Sequence, residues 1–226
     1  MSGGAAISAV VFDLDGILID SEHVWDEVRE QLAEDWDGTY GPEAQRSMMG
    51  MSSPEWSAYM HEVVGIAASP EEINAEVVRR MLGRYRDELP VVPGAVDAVR
   101  RLDQAGLRLA VASSSNRELI ETVLETLELT SSFAAVVSSE EVPRGKPAPD
   151  VYLEATSRLG LEPGECAAVE DSTNGLLAAA AAGLAVVAYP NHRFPPAADA
   201  LARATLVVES LDELTPETLA ALRRPG

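Results

Sequence analysis

Val10-Val11-Phe12-Asp13-Leu14-Asp15-Gly16-Ile17-Leu18-Ile19-Asp20-Ser21-Glu22 is the stretch from which the rest of the chain is read. Val10 to Phe12 is an apolar, β-branched run of the kind that fills a strand buried on both faces. Where the strand should end stand Asp13 and Asp15, followed by Gly16. Spaced i, i+2, the two carboxylates share one face of an extended chain. Acids that close repel each other and need a cation, a shared proton or good solvation. The pair suits a hard divalent cation held through oxygens, or a division of labour between nucleophile and acid/base. An ordinary acidic turn would carry the same residues, so the later segments decide.

After Asp20 the period changes. Val24, Val28, Leu32 and Trp36 recur every four residues, the spacing of an amphipathic helix. Ser53-Pro54-Glu55 and Ser69-Pro70-Glu71-Glu72 predict two more helix starts, each with Ser at the N-cap and Pro at the first helical position. Ser69 and Glu72 also fit a capping box. No strand pattern occurs between residues 21 and 90, and Pro90-Val91-Val92-Pro93-Gly94 punctuates the end of this helical block.

From there strands and helices alternate. Helix 94–105 is closed by Gly106, helix 150–159 by Gly160 and helix 173–182 by Gly183, each a suitable C′ glycine. Between and after them lie apolar runs at 107–112, 134–138, 167–169, 185–189 and near 206–208, with helices from Asn116 to about Leu127 and after Pro216. Such alternation predicts right-handed βαβ units and a parallel sheet covered on both faces, an α/β Rossmann-like core. The expected division is a core of residues 1–20 and 91–226 with an α-helical cap inserted at 21–90.

Composition excludes several classes. A net charge of −20, from 37 acids and 17 bases, argues against nucleic acid or an acidic membrane surface as partner. Cys166, the single cysteine, lies in an apolar strand-like run and reads as a buried structural thiol. Leu176 to Pro190 is the most apolar stretch, but its 15 residues fall short of a membrane span. Asp13 and Asp15 cut the first apolar run too short for a signal peptide. A soluble cytoplasmic protein, monomer or weak homodimer, is the expectation.

Chemistry collects at the carboxyl ends of the expected strands. Asp13 and Asp15 end one, Ser113 to Asn116 another and Glu170-Asp171 a third, while Lys146 lies in the loop after Ser138. In an open α/β sheet ligands bind just outside those ends, so four clusters distant in sequence converge. Asp13, Asp15, Glu170 and Asp171 concentrate too much negative charge to stand without a cation, and an all-oxygen set suits Mg²⁺. Lys146, the Ser113 hydroxyl and the amides around Leu14, Asp15 and Ser114 suit a tetrahedral dianion. A carboxylate nucleophile with metal, lysine and hydroxyl describes phosphoryl transfer through an aspartyl-phosphate.

Asp13-Leu14-Asp15-Gly16-Ile17-Leu18-Ile19-Asp20-Ser21-Glu22, Ser113, Gly145-Lys146-Pro147-Ala148-Pro149-Asp150 and Glu170-Asp171-Ser172 together resemble the four ordered motifs of the haloacid dehalogenase superfamily. More narrowly, the chain is similar to the helical-cap branch of β-phosphoglucomutases and sugar-phosphate phosphatases. The resemblance implies that Asp13 attacks phosphorus and that Asp15 protonates the leaving oxygen, then deprotonates the hydrolytic water. It implies Mg²⁺ held by Asp13, the Asp15 carbonyl and Asp171, with Glu170 as ligand or supporting group. Ser113, Ser114 and Lys146 would hold the phosphoryl oxygens. Dehalogenases of the superfamily lack an acid at the second position, so Asp15 argues against dehalogenation.

A β-phosphoglucomutase of this branch is expected to carry an Arg in the cap loop, a His in the first cap helix and a Lys soon after the second motif. Here Gly50-Met51-Ser52-Ser53-Pro54 has no Arg, and Trp25 and Asn116 occupy the other two positions. Losing a bidentate phosphate clamp is not a conservative change, although a shifted cap alignment would bring in Arg46. The departures favour hydrolysis of a small phosphorylated metabolite, a sugar phosphate first, over a phosphosugar mutase. A non-catalytic phosphate-binding module ranks below both. Glu22, His23, Trp25 and Asn116 are the substrate-facing candidates; His192 is not among them.

Overall fold

A computed structural model describes residues 6–222. Its centre is one sheet of six parallel strands, β1 (Ala9–Phe12), β2 (Arg108–Ser113), β3 (Ala135–Ser138), β4 (Cys166–Glu170), β5 (Ala185–Ala188) and β6 (Leu206–Val207), in the order 3-2-1-4-5-6. Every expected apolar run forms a strand. Four helices lie between β1 and the rest of the core: α1 (Glu22–Asp35), α2 (Pro42–Met48), α3 (Ser53–Glu62) and α4 (Pro70–Asp87). Helices α5 (Ala95–Gln104), α6 (Arg117–Thr126), α7 (Asp150–Leu159) and α8 (Thr173–Ala182) connect the strands, and α9 (Ala198–Leu201) and α10 (Pro216–Ala220) close the chain.

Alternation along each strand divides the core into two layers. Val10, Phe12, Leu109, Val111 and Val169 face one side with α5 and α6; Ala9, Val11, Ala110, Cys166 and Ala168 face the other with α7 and α8. Cys166 is buried there, as expected for a small apolar side chain. The first layer runs on through Leu14, Ile17, Leu18 and Ile19 into Trp25, Met48, Trp56 and Ile73, so core and helical insert share one continuous apolar cluster.

The chain leaves β1 toward β2 and β3, then returns to add β4, β5 and β6 on its other side. That reversal opens a crevice at the carboxyl end of β1, where such sheets take their ligands. The two passages between sheet and insert run side by side: Asp20 N donates to Pro90 O at 2.7 Å and Val92 N to Leu18 O at 3.1 Å. The expectation of Ser53 as N-cap is corrected by one residue. Ser52 is the extended residue and its N donates to Glu55 Oε2 at 2.8 Å, while Ser53 already belongs to the helix and Pro54 takes the second position. Proline fits anywhere in the first turn, whose amides lack intrahelical partners, so the motif alone did not select between two adjacent serines. Ser69 caps α4 as expected, with Glu72 completing the box.

Candidate active site

Strand geometry brings the predicted residues together. Asp13 follows the last residue of β1, its N donating to Val169 O at 3.0 Å, which sets it beside Glu170 and Asp171 at the end of β4. All three are buried, and Asp13, Glu170 and Asp171 offer carboxylate oxygens within 4.8 Å of one another. Burial and then the Glu170 charge push the Asp13 carboxyl up to about 8 against the pull of Lys146. Burial, followed by Glu170 and Asp13, likewise holds Asp171 well above the ordinary carboxylate range.

Lys146 is the counterweight. Its Nζ lies 2.6 Å from Glu170 Oε1 and 2.9 Å from Asp13 Oδ1. Burial works against its charge, yet the carboxylates of Asp13 and Glu170 outweigh that and hold it above the usual lysine range. Glu170 is fully engaged: Oε1 also accepts from Tyr152 Oη at 2.7 Å, and Oε2 from Ser172 Oγ and the amides of Asp171 and Ser172. Asp13 Oδ1 has the Lys146 ammonium beside it and no further partner among the described residues. Three buried carboxylates so close together could hold a hard divalent cation through their oxygens, while Glu170 also engages Lys146.

The backbone is shaped to this cluster. Gly16 adopts φ +83°, and a Cβ there would sit 2.0 Å from Asp171 Oδ2; one on Gly175 would sit 1.8 Å from Glu170 Oε1. Only glycine lets both segments approach the carboxylates so closely.

Asp15 is held apart from the cluster. Ser115 Oγ donates to its Oδ2 at 2.6 Å, Trp25 Nε1 to its Oδ1 at 3.3 Å, and Ser21 Oγ also to Oδ1. The serine hydroxyls can donate or accept, whereas the indole only donates. These three contacts fix the orientation of the Asp15 carboxyl.

A cavity of about 490 Å³ opens above these groups, lined from the core by Asp13, Asp15, Ser114, Lys146 and Asp171 and from the insert by Glu22, Trp25 and Arg29. Ser114 presents a buried Oγ with no partner, a free donor beside the carboxylates. Other expected residues lie elsewhere. Ser113 is fully buried, its Oγ accepting from Ser115 N at 3.0 Å, so it shapes the loop. Asn116 turns away from this cavity, accepting from Ser53 Oγ at 2.8 Å and donating to Asn74 and Glu140. His23 is partly buried and does not line the cavity. His192 is exposed near Glu209, but its neighbours Arg193 and Phe194 do line it.

Reading the sequence missed Ser21, Ser115, Arg29 and Trp56. Ser115 carried a signal, since it stands two residues beyond Ser113 in the same strand-end loop. Arg29 carried one as well, lying one helical turn beyond Trp25. Trp56 carried none, because its approach depends on how α3 packs on α1.

A strand-end aspartate beside lysine and a metal-competent acidic pair, with a second aspartate lining the same cavity, defines a phosphoryl-transfer hydrolase. The comparisons agree. The haloacid dehalogenase-like hydrolase family matches residues 7–183, and the chain belongs to it. Hexitol phosphatase B of Escherichia coli strain K12 is 34% identical over 195 residues, covering 84% of this chain and 86% of the relative. A phosphorylated carbohydrates phosphatase of Thermotoga maritima is 31% identical over 179 residues, covering 79% and 82%. Among solved structures, CbbY from Rhodobacter sphaeroides in complex with phosphate superposes with a TM-score of 0.83 at 26% identity, covering 92% of this chain and 96% of that one. The protein is an enzyme of the phosphatase kind, and hydrolysis describes it better than mutase chemistry. Among the described residues no helix is long and apolar enough to cross a membrane.

Proposed function

We propose that the protein is a Mg²⁺-dependent phosphatase that hydrolyses a small phosphorylated sugar or polyol through an aspartyl-phosphate on Asp13. The observation that carries this is the pairing of a buried Asp13 carboxyl, in contact with Lys146 at the end of β1, with an Asp15 carboxyl pinned separately by Ser115, Ser21 and Trp25. One carboxylate is open to attack and the other is oriented for proton transfer. Residues 21–90 act as a cap on a core of 1–20 and 91–226, with the paired backbones at Leu18–Asp20 and Pro90–Val92 as hinge.

An Asp13 oxygen attacks the phosphorus in line and the ester P–O bond breaks. Asp15 gives its proton to the departing alkoxide, then takes one from the water that attacks the aspartyl-phosphate, releasing inorganic phosphate. Lys146 neutralises phosphoryl charge, and Ser114 Oγ has no other partner to serve. Asp13 and Asp171 would hold the Mg²⁺, with Glu170 bracing them; when bound, it keeps Asp13 ionised and screens the dianion from the carboxylates. The names of the phosphatase relatives support a carbohydrate-type substrate, and the cavity has the volume of a small-metabolite site. In the loop where a mutase would carry arginine, Ser53 instead binds Asn116. Such a loop closes the cap rather than clamping a second phosphate there.

The test is a panel of sugar, polyol and nucleotide monophosphates with and without Mg²⁺, reading phosphate release and isomer formation together. Release from a hexose or hexitol phosphate, dependent on Mg²⁺, is expected. Asp13→Asn should lower it about a thousandfold or more while leaving the fold intact. Isomer formation outpacing release, or near-normal turnover by Asp13→Asn, would overturn the assignment.

A further inference from the structure

Arg29 is a buried cation with an unmet donor. It is only 7% exposed, and its Nε is buried without a hydrogen-bond partner. The guanidinium carbon lies 4.7 Å from the ring centroid of Trp25 and 4.9 Å from that of Trp56, whose rings meet edge to face at 5.9 Å. Both indoles lie within cation–π range of the guanidinium. Its Nε is left without an acceptor among the described residues. The groups that face Arg29 electrostatically are Tyr40, Glu22, Asp15 and Asp26. Two of those are engaged elsewhere: Asp26 accepts from Tyr40 at 2.8 Å, and Asp15 is held by Ser115, Ser21 and Trp25.

Arg29 also lines the catalytic cavity, together with the exposed Arg46 and Arg193. Apart from Asp13, Asp15 and Asp171 at the phosphoryl end, the acidic residue lining the cavity with these three arginines is Glu22. In a chain of net charge −20, that is a local reversal of sign. A buried charge without hydrogen bonds is costly, and a rigid planar fork matches an oxyanion with two oxygens.

We propose that Arg29 binds a second anionic group on the substrate, a carboxylate or a second phosphate, at the cap end of the cavity, with Arg46 and Arg193 at the rim. The inference rests on the phosphatase reading above. The indoles flank the guanidinium at the cavity wall, and the distal anion completes its hydrogen bonding. A substrate anchored at both ends is then positioned with its scissile phosphate at Asp13.

Matched substrates decide it with the intact protein and Mg²⁺. Fructose 1,6-bisphosphate is compared with fructose 6-phosphate, and 6-phosphogluconate with glucose 6-phosphate, by kcat/KM for phosphate release. The anionic member of at least one pair should be preferred by about 10- to 100-fold, and the pair showing it identifies phosphate or carboxylate as the distal group. In Arg29→Met that preference ratio should collapse toward one, whatever loss both members share, with Arg29→Lys in between. If Arg29→Met does not fold, the wild-type ratios and Arg29→Lys still decide. No preference in the wild type for either anionic member, or a ratio unchanged in the variants, overturns the proposal. Failure of the wild type to release phosphate from every substrate, p-nitrophenyl phosphate included, instead overturns the phosphatase reading.

Discussion

Glu22 stands at the start of α1 with its carboxyl pushed up to about 7 by burial, against a smaller opposing pull from Arg29. Its ordinary value is 4.5, so the folded state binds this proton more tightly than the unfolded chain. The stability tied to it is complete below pH 4.5 and is lost as the pH rises to about 7. Glu22→Gln copies the protonated form at nearly constant shape. The variant should therefore gain stability relative to wild type across that window, at about 1.4 kcal/mol per unit of displacement. Thermal melts of both proteins in chelator, from pH 4 to 8, measure the difference; a gap that does not grow with pH would contradict the burial of this carboxyl. Glu22 and Trp25 were legible as site residues because they directly follow the acidic motif. Asn116 was misplaced by the same reasoning, since adjacency to Ser113 does not say which way its amide turns.

At the scale of elements, the turn from β1 into Gly16 and the start of α8 are built as one device. Asp171 enters from β4, and the Gly16 turn leaves a space with no room for a methyl group. Gly16→Ala is expected to displace Asp171 and to strain a positive-φ position, costing about 1–2 kcal/mol from the backbone alone. Mg²⁺ affinity, measured by titration calorimetry, should fall about tenfold or more, as when a ligand's support is removed. Unchanged affinity would show that Asp171 does not hold the metal. Strands and the main helices were readable because their signals are local: apolar runs for buried strands, and Ser, Pro and Gly at helix ends. The one-residue shift of the α3 cap arose because Ser52 and Ser53 satisfy the same local rule. The choice between them follows from Ser53 reaching Asn116, 63 residues away.

For the whole molecule, the dominant electrostatic fact is a buried set of Asp13, Glu170 and Asp171 balanced by Lys146 alone. Folding brings these like charges together, and the unfolded chain keeps them apart. A divalent cation that binds only the folded state should raise its stability by about 2.7 kcal/mol at a hundred times the dissociation constant. Differential scanning fluorimetry should show a higher Tm with Mg²⁺ than with chelator, and no comparable rise with Na⁺ at equal ionic strength. Equal melting in all three would remove the cation from the site.

The sequence by itself determined the parallel α/β core and the placement of Asp13, Asp15, Lys146, Glu170 and Asp171 at strand ends. Strand periodicity and glycine punctuation are properties of neighbouring residues, and parallel topology carries every strand's carboxyl end to the same edge. Only the tertiary structure decided that Ser115 and Trp25 grip Asp15, that Asn116 faces α3 and α4 instead of the cavity, and that Arg29 is wedged against two indoles. The Ser115–Asp15, Ser53–Asn116 and Arg29–Trp56 contacts join segments 27 to 100 residues apart. Helical spacing states which residues share a face of α1; what that face meets is set by the packing of the insert on the sheet.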